Sequence, residues 1–158
     1  MTIETIPLNA PSFCLPVDTP LDEALRRMLA EGVNHAPVCQ DREWVGMLSM
    51  RDLVGGVLPE SARMSHGPVE FALMGDASSE VLGQLRQMGH HRVADLVRRD
   101  VPILKRDHRL AEAALLIYQQ AMPLPVLGSD GSFLGMLSPR ALMQHMVERA
   151  GASGGHGH

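Results

Sequence analysis

The sequence predicts an α/β (α+β) protein made of two pseudo-symmetric β-α-β-β-α units and an extra helical linker. The segment Gly46-Met47-Leu48-Ser49 recurs unchanged as Gly135-Met136-Leu137-Ser138, 89 residues later. A helical pattern that begins at Leu21 recurs at Leu110 with the same offset. A shared offset across helix, strand and turn signals indicates one supersecondary unit used twice. Two such copies imply a pseudo-symmetric pair with a cleft between them.

The first helix is predicted to begin after Thr19, which can cap it, with Pro20 at the first helical position. Gly32 is predicted to end it. Apolar residues recur between these points with the spacing of an amphipathic helix, at positions 21, 24, 25, 28 and 29. The same five positions, shifted by 89, are apolar or aromatic in the second copy. We therefore expect both helices to pack one face onto a sheet.

Three strands are predicted in each copy. One short strand precedes the first helix, and two more follow it as a hairpin, for which Asp130-Gly131 is the clearer turn signal. A second helix then begins at Ser49 in one copy and at Ser138 in the other. The predicted strands are 13–15, 36–39 and 44–48 in the first copy, and 101–104, 124–127 and 133–137 in the second.

The repeats also predict the domain organisation. The first unit spans residues 8–58 and the second spans residues 93–148. Between them, residues 59–92 have no counterpart and form a linker, with a helix from about Ser79 to Met88. The segment 149–158 contains mostly Gly, Ser, Ala and His, and we expect it to be disordered.

The composition is that of a soluble globular protein, because 45% of its 158 residues are hydrophobic and 20% are charged. A net charge of −4 with few aromatic residues argues against nucleic-acid binding, which needs a basic groove and stacking rings. No stretch approaches the roughly 20 apolar residues of a membrane span, and the N-terminus lacks the pattern of a signal peptide. We expect a cytoplasmic protein that binds neither nucleic acid nor membrane.

Motifs for catalysis and metal binding are not evident in the sequence. There is no nucleophile elbow, no HExxH and no glycine-rich phosphate loop, so we do not expect an enzyme or a metal site. Cys14 and Cys39 lack metal-ligand spacing and lie in apolar surroundings. They are predicted to be buried, reduced thiols.

The ordered set of motifs, present twice, resembles a tandem pair of cystathionine-β-synthase (CBS) domains, also called a Bateman module. The resemblance covers roughly residues 10–58 and 93–148. The matching runs are Leu21-x-x-Ala24, Gly32-Val33-Asn34-His35-Ala36-Pro37-Val38 and Val45-Gly46-Met47-Leu48-Ser49-Met50-Arg51-Asp52-Leu53 in the first copy, and Leu110-x-x-Ala113, Met122-Pro123-Leu124-Pro125-Val126 and Leu134-Gly135-Met136-Leu137-Ser138-Pro139-Arg140-Ala141-Leu142 in the second. Val93-Ala94-Asp95-Leu96-Val97 also resembles the family's lead-in to a unit.

The resemblance implies two units packed through their sheets, with clefts that commonly hold adenosine compounds such as AMP, ADP, ATP or S-adenosylmethionine. It implies that the chain is a stand-alone regulatory module that acts on an unknown effector protein, and that it forms a homodimer. It implies no catalytic residue and no cofactor beyond the regulatory ligand.

The site that the resemblance implies most clearly is Ser49-Met50-Arg51-Asp52. In the family, the hydroxyl residue and the acid three positions later hold the ribose and a nearby phosphate of the ligand. The physical chemistry agrees, because a helix N-terminus favours phosphate and a carboxylate can accept two hydrogen bonds from a ribose diol. The same pattern is also that of a plain capping box. The two roles can coexist, with Ser49 as the cap and Asp52 in the cleft.

The second copy departs from this pattern, because Ala141 stands where Asp52 stands in the first. We therefore expect one cleft to be the better nucleotide site. Ser138 keeps the capping role, and Arg140 matches Arg51, so that either arginine can reach a phosphate. The resemblance places the adenine end of the ligand next to two short segments. One is at Leu15, before the first helix, and the other contains Asn34, His35 and Ala36, between that helix and the hairpin.

Two functions follow from these observations. The leading hypothesis is a module that senses an adenosine-type nucleotide in the cleft between the units and signals to a partner protein. The alternative is a degenerate pair that binds no small molecule and acts as a dimerisation or interaction protein. The missing second acid and the long linker at 59–92 are the features that motivate the alternative.

Overall fold

Two three-stranded sheets and five helices make up the part of the chain that this computed structural model describes, residues 1–9, 13–58 and 78–156. The strand orders are β1-β2-β3 and β4-β5-β6. The first repeat contains β1 (Leu15–Pro16), α1 (Leu21–Glu31), β2 (His35–Gln40), β3 (Glu43–Ser49) and α2 (Met50–Val57). Next comes α3 (Ser78–Gln87), and the second repeat contains β4 (Leu104–Lys105), α4 (Leu110–Gln120), β5 (Leu124–Leu127), β6 (Phe133–Leu137) and α5 (Pro139–His156). The predicted fold class, with its repeated β-α-β-β-α order, is confirmed.

Strand directions in the second sheet follow from the connections. The helical crossover through α4 makes β4 and β5 parallel, with Leu104 opposite Val126. The short turn between β5 and β6 makes that pair antiparallel, with Leu124 opposite Leu137. All four of these residues are at most 1% exposed, so the sheet supplies the core of its repeat.

The described chain packs as two compact units. The first-repeat unit contains Cys14–Val38 and Val45–Arg99, and the second-repeat unit contains Met1–Phe13, Cys39–Trp44 and Asp100–His158. Each unit thus includes residues that precede the other repeat in sequence. The boundaries 8–58 and 93–148 stay a prediction about sequence units, since the packing units are interleaved along the chain.

The interleaving follows the same symmetry as the repeats. In the first-repeat unit, Met47 exchanges two backbone hydrogen bonds with Arg98, each 2.9 Å long. In the second-repeat unit, Met136 exchanges two with Asn9, at 2.8 and 2.9 Å. Arg98 and Asn9 are 89 residues apart, as are Met136 and Met47. In each unit, therefore, one residue of a lead-in segment pairs with the last strand of the hairpin through an antiparallel bridge.

The sequence predicts the C-terminal cap of α1 correctly and the N-terminal cap incorrectly. Gly32 caps its C-terminus in the left-handed conformation, with φ of 67°, as predicted. The predicted cap by Thr19 is wrong, because Pro20 is extended at the cap position and no side chain caps the helix. Thr19 is buried, and its carbonyl accepts a hydrogen bond from the Val93 amide at 2.9 Å. The Thr19 backbone is therefore hydrogen-bonded to a residue that is distant in sequence, and a local sequence pattern cannot reveal such a bond.

The prediction of disorder from residue 149 is wrong up to His156, because α5 continues to that residue. Glu148, Arg149 and Ala150 form helices well, and extending an existing helix needs no new nucleation step. Residues 157–158 lie outside the described residues.

The linker is described only in its second part, since residues 59–77 lie outside the described residues. The predicted helix is present as α3, which contacts α2. A 3-10 turn at Met88–His90 follows it, and a second one covers Val93–Asp95. The first-repeat unit therefore carries a helix that has no equivalent in the repeat.

The prediction of reduced thiols is also wrong, because Cys14 and Cys39 are both disulfide-bonded. Cys14 directly precedes β1 and Cys39 lies in β2, and these two strands are neighbours in one sheet. Within the described ranges, no helix is both long and apolar enough to cross a membrane.

Candidate ligand-binding groove

The N-terminus of α2 organises the candidate site. β3 runs directly into α2 at Ser49, whose Oγ accepts a hydrogen bond from the Asp52 amide at 3.0 Å. The Met50 amide, also at the start of α2, donates a hydrogen bond to the Asn34 carbonyl at 2.8 Å. The loop before β2 is therefore tied to the start of the helix, and Ser49 fills the capping role that the sequence predicted.

The second repeat forms the same cap. Ser138 Oγ accepts a hydrogen bond from the Ala141 amide, again at 3.0 Å. The cap is thus independent of the acid that follows it, because only the first repeat has an aspartate at that position. The serine accounts for the start of each helix, and Asp52 needs a different explanation.

Replacing either serine with alanine is expected to lower the free energy of unfolding by about 1 kcal/mol, because one helix amide loses its acceptor. Urea denaturation of Ser49→Ala and Ser138→Ala measures this change. Ser129→Ala, in an exposed turn of the second repeat, is the control and should unfold like the wild type. Equal midpoints for all three variants would contradict the capping role.

A groove with a volume of ≈ 660 Å³ lies within the first-repeat unit beside Asp52. This volume falls within the about 300–1,000 Å³ typical of small-molecule sites. One wall is α2 and the other is the segment that leads into the second repeat. The lining residues are Arg51, Asp52, Val54, Gly55, Gly56, Leu58, Asp95, Leu96, Val97 and Arg98.

Asp52 presents an acceptor that the described residues do not satisfy. Its side chain is 21% exposed, but Oδ2 is buried and has no hydrogen-bond partner in the described part of the chain. Oδ1 lies 3.7 Å from Nη1 of Arg51, whose side chain is 89% exposed, and such a pair contributes little. An unpaired buried acceptor costs about 1–3 kcal/mol.

His35 lies at the start of β2, within electrostatic range of Asp52 and Arg98. Burial lowers the pKa of His35 below its ordinary value, the Asp52 carboxylate opposes this shift, and the Arg98 guanidinium adds to it. Since the net shift is downward, the imidazole is neutral at physiological pH. It then offers one donor and one acceptor nitrogen to a neighbouring group.

The structure brings some of the predicted site residues together and separates others. Arg51 and Asp52 line the groove, with Ser49 and Asn34 bonded to the backbone of the same helix start. Leu15 and Ala36 are fully buried, so their side chains belong to the core and only their backbone groups remain as predicted ligand contacts.

Ser138 and Arg140 belong to the second-repeat unit. There Arg140 lines a separate, shallow cavity along one face of α5, with Met143, Gln144 and Val147 among its neighbours. A ligand role for Ser138 and Arg140 therefore stays a prediction about a second position, distinct from the groove at Asp52.

The sequence reasoning missed the wall formed by residues 95–98. This segment was recognised only as the lead-in to the second repeat, although its bridge to Met47 places it against the first. Asn9 and Arg98 share the offset of 89, but the residues around them differ, so the sequence repeat does not mark this wall. In the described ranges, no group of three or more His, Cys, Asp or Glu residues is arranged to hold a metal ion.

The CBS domain family model matches the chain twice, over residues 3–58 and 93–148. The chain belongs to the CBS domain family. Because the two matches coincide with the two repeats, the predicted tandem CBS pair is confirmed. No curated protein matches the chain.

Several solved structures share the fold of this CBS pair. CBSX2, a CBS-pair protein from Arabidopsis thaliana, gives a TM-score of 0.72 at 20% identity over 94% of this chain and 96% of that one. CBSX2 in complex with AMP gives 0.66 at 20% identity, with 94% and 98% covered. A CBS domain-containing protein from Bacillus anthracis gives 0.71 at 17% identity over 94% of each chain. Identities this low show the shared fold alone.

Proposed function

We propose that this CBS pair is a regulatory module that binds an adenosine-type nucleotide in the groove beside Asp52. The observation that carries the proposal is the partly exposed Asp52 carboxylate, which lines a groove of ligand size and has one oxygen without a hydrogen-bond partner among the described residues. A ribose diol supplies two hydroxyl donors to one carboxylate, and hydrogen bonds to a charged acceptor are the stronger ones. The candidate ligands are AMP, ADP, ATP and S-adenosylmethionine.

The start of α2 suits the rest of such a ligand. It has exposed cationic side chains nearby and the partial positive charge of a helix N-terminus. The groove floor is open at Gly55, where an added Cβ would have no neighbour within 4 Å, and at Gly56, where it would meet only Leu96 at 3.6 Å. The AMP complex of CBSX2, a protein of the same fold, supports an adenosine ligand for this chain.

Signalling to an effector protein is the regulatory part of the proposal. A bound nucleotide stabilises the conformation that it contacts, and a partner that recognises this conformation reads the signal. We propose a cytoplasmic homodimer with no enzymatic activity of its own. The effector and the process it controls are to be found by identifying the proteins that bind the ligand-loaded form.

A ligand-free dimerisation protein is the second candidate, and one observation favours it. The exposed face of α5 carries two large apolar side chains, Met143 at 54% and Val147 at 66% exposure. Sedimentation of the ligand-free protein separates the two functions. A stable dimer that no nucleotide affects would favour the second candidate over the first.

Isothermal titration with AMP, ADP, ATP, S-adenosylmethionine and NAD tests the proposed function. We expect heat of binding for at least one of the adenosine ligands, with one site per chain because Ala141 replaces the acid in the second repeat. The same ligand should raise the melting temperature in proportion to the logarithm of its concentration above Kd. Absence of heat with all five compounds would overturn the proposal.

A further inference from the structure

We infer that the first-repeat unit contains a second binding site, a cavity beside the extra helix α3 that takes a small aromatic amine. The cavity has a volume of ≈ 230 Å³ and is distinct from the groove beside Asp52. We call it the linker pocket. Four of its lining residues lie outside the groove, namely Leu21, Gln84, Met88 and His91, and the other three line both.

The linker pocket is built from residues that the repeat does not duplicate. Gln84 belongs to α3, and Met88 and His91 follow it, so the chain has no residues 89 positions earlier that could match these three. Gly56, from α2, leaves the space beside it free of a side chain, whereas the second repeat carries the buried His145 at the equivalent position. The pocket therefore does not follow from the fold of the repeat alone.

The space beside α3 stays open because this helix packs loosely. None of its residues is buried, and its large apolar side chains Leu82 and Leu85 are exposed. The most buried side chains that line the pocket are apolar, with Leu21 at 3% and Met88 at 4% exposure. A methionine thioether adapts to irregular shapes and makes favourable contacts with aromatic rings. This part of the pocket therefore suits the ring of an aromatic ligand.

The exposed lining side chains supply hydrogen-bond acceptors and a negative charge. Asp95 Oδ2 accepts a hydrogen bond from the Arg92 amide at 2.9 Å and lies 3.9 Å from Nδ1 of His91. A carboxylate has about four lone-pair sites, so this contact leaves acceptor capacity for a ligand, and the Gln84 amide oxygen is a further acceptor. An ammonium group brings three donors.

The charge and the size of the linker pocket narrow the ligand class. Among the described residues that line it there is an aspartate but no lysine or arginine, which favours a cation over an anion. Its volume lies below the about 300–1,000 Å³ typical of sites for drug-sized ligands. A single ring with a short aminoalkyl group meets both conditions. The inference goes beyond the proposed function, because it concerns a different cavity and a different class of ligand.

Titrations followed by NMR with benzylamine, benzyl alcohol and benzoate test the inference, because these probes share a ring and differ in charge. We expect benzylamine to shift the Met88 methyl and Gln84 side-chain amide signals and to bind about 5-fold more tightly than benzyl alcohol, the effect of one half-exposed ion pair. Benzoate should bind most weakly. Asp95→Asn should abolish the preference for the amine, since it removes the charge and keeps an acceptor for the Arg92 amide. Asp18→Asn, at an exposed acid of the same unit outside the pocket, should retain it.

Gly56→Leu and Gly55→Leu form a matched pair that tests the location. An added Cβ at Gly56 lies 3.6 Å from Cδ1 of Leu96, which lines the pocket, whereas at Gly55 it has no neighbour within 4 Å. Both glycines lie in α2, so the change in helix propensity is similar. We expect Gly56→Leu to abolish benzylamine binding and Gly55→Leu to preserve it.

Three results would each overturn the inference. They are the absence of saturable shifts at Met88 and Gln84 with benzylamine, equal affinity of the wild type for benzylamine and benzoate, and benzylamine binding that is the same in Gly56→Leu and Gly55→Leu. A preference for the amine that survives Asp95→Asn would also contradict it. None of these results affects the AMP titrations, so the proposed function is tested separately.

Discussion

Asp52→Ala is expected to weaken AMP binding by about 100-fold, because two hydrogen bonds from the ribose hydroxyls to a charged acceptor are lost. The variant reproduces in the first repeat the residue that the second repeat carries at Ala141. Isothermal titration measures the loss. The variant should not lose more than about 1 kcal/mol of stability, because Oδ2 has no partner in the described part of the chain and its unpaired burial is itself unfavourable.

Asp22→Ala is the matched control for this variant. Asp22 lies in the first turn of α1, as Asp52 does in the first turn of α2, so both variants remove an acid that interacts favourably with a helix N-terminus. Asp22 lies outside the groove lining. AMP should bind Asp22→Ala as it binds the wild type, and an equal loss in both variants would show that Asp52 has no specific role.

Gly46→Ala is expected to lower the free energy of unfolding by about 3 kcal/mol or more. A Cβ at this position would overlap the Arg98 carbonyl oxygen and lie 2.9 Å from Cγ2 of Val97. The carbonyl belongs to a backbone that is hydrogen-bonded to Met47, so it cannot move without breaking the bridge. Thermal and urea denaturation measure the change, and AMP binding should weaken in parallel because the groove wall formed by residues 95–98 is displaced.

Gly83→Ala is the control for a glycine substitution in the same unit. Gly83 lies inside α3, and an added Cβ there has no neighbour within 4 Å. Alanine forms helices better than glycine, so this variant should be more stable by up to about 1 kcal/mol. If Gly46→Ala unfolded at the same midpoint as the wild type, the close approach of the two backbones would be contradicted.

The strands and helices were largely predictable because their signals are local. β5 and β6 have the predicted bounds, since each is an apolar run and the turn between them marks the end of one and the start of the other. The strands before α1 and α4 are shorter than predicted and lie nearer the helix, at Leu15–Pro16 and Leu104–Lys105. Only their last residues pair with a neighbouring strand, and a propensity pattern does not contain that information.

The site was predictable in part for the same reason. Ser49 and Asp52 belong to one helix start, so four consecutive residues of sequence are enough to find them. Arg98 comes 46 residues after Asp52 and reaches the groove through a backbone bridge to Met47. That contact is tertiary, as are the bond from the Val93 amide to Thr19 and the disulfide bonding of both cysteines. The unpaired state of Oδ2 also depends on side-chain packing and has no sequence signal.

The most direct measurement is a double-mutant cycle between the ribose hydroxyls and the Asp52 carboxylate. AMP and 2′,3′-dideoxy-AMP are titrated into the wild type and Asp52→Ala. We predict that removing the hydroxyls weakens binding to the wild type by about 10-fold or more and has little further effect in Asp52→Ala. If both proteins lost affinity by the same factor, the ribose would not be bound by Asp52, and the account of the groove would be wrong.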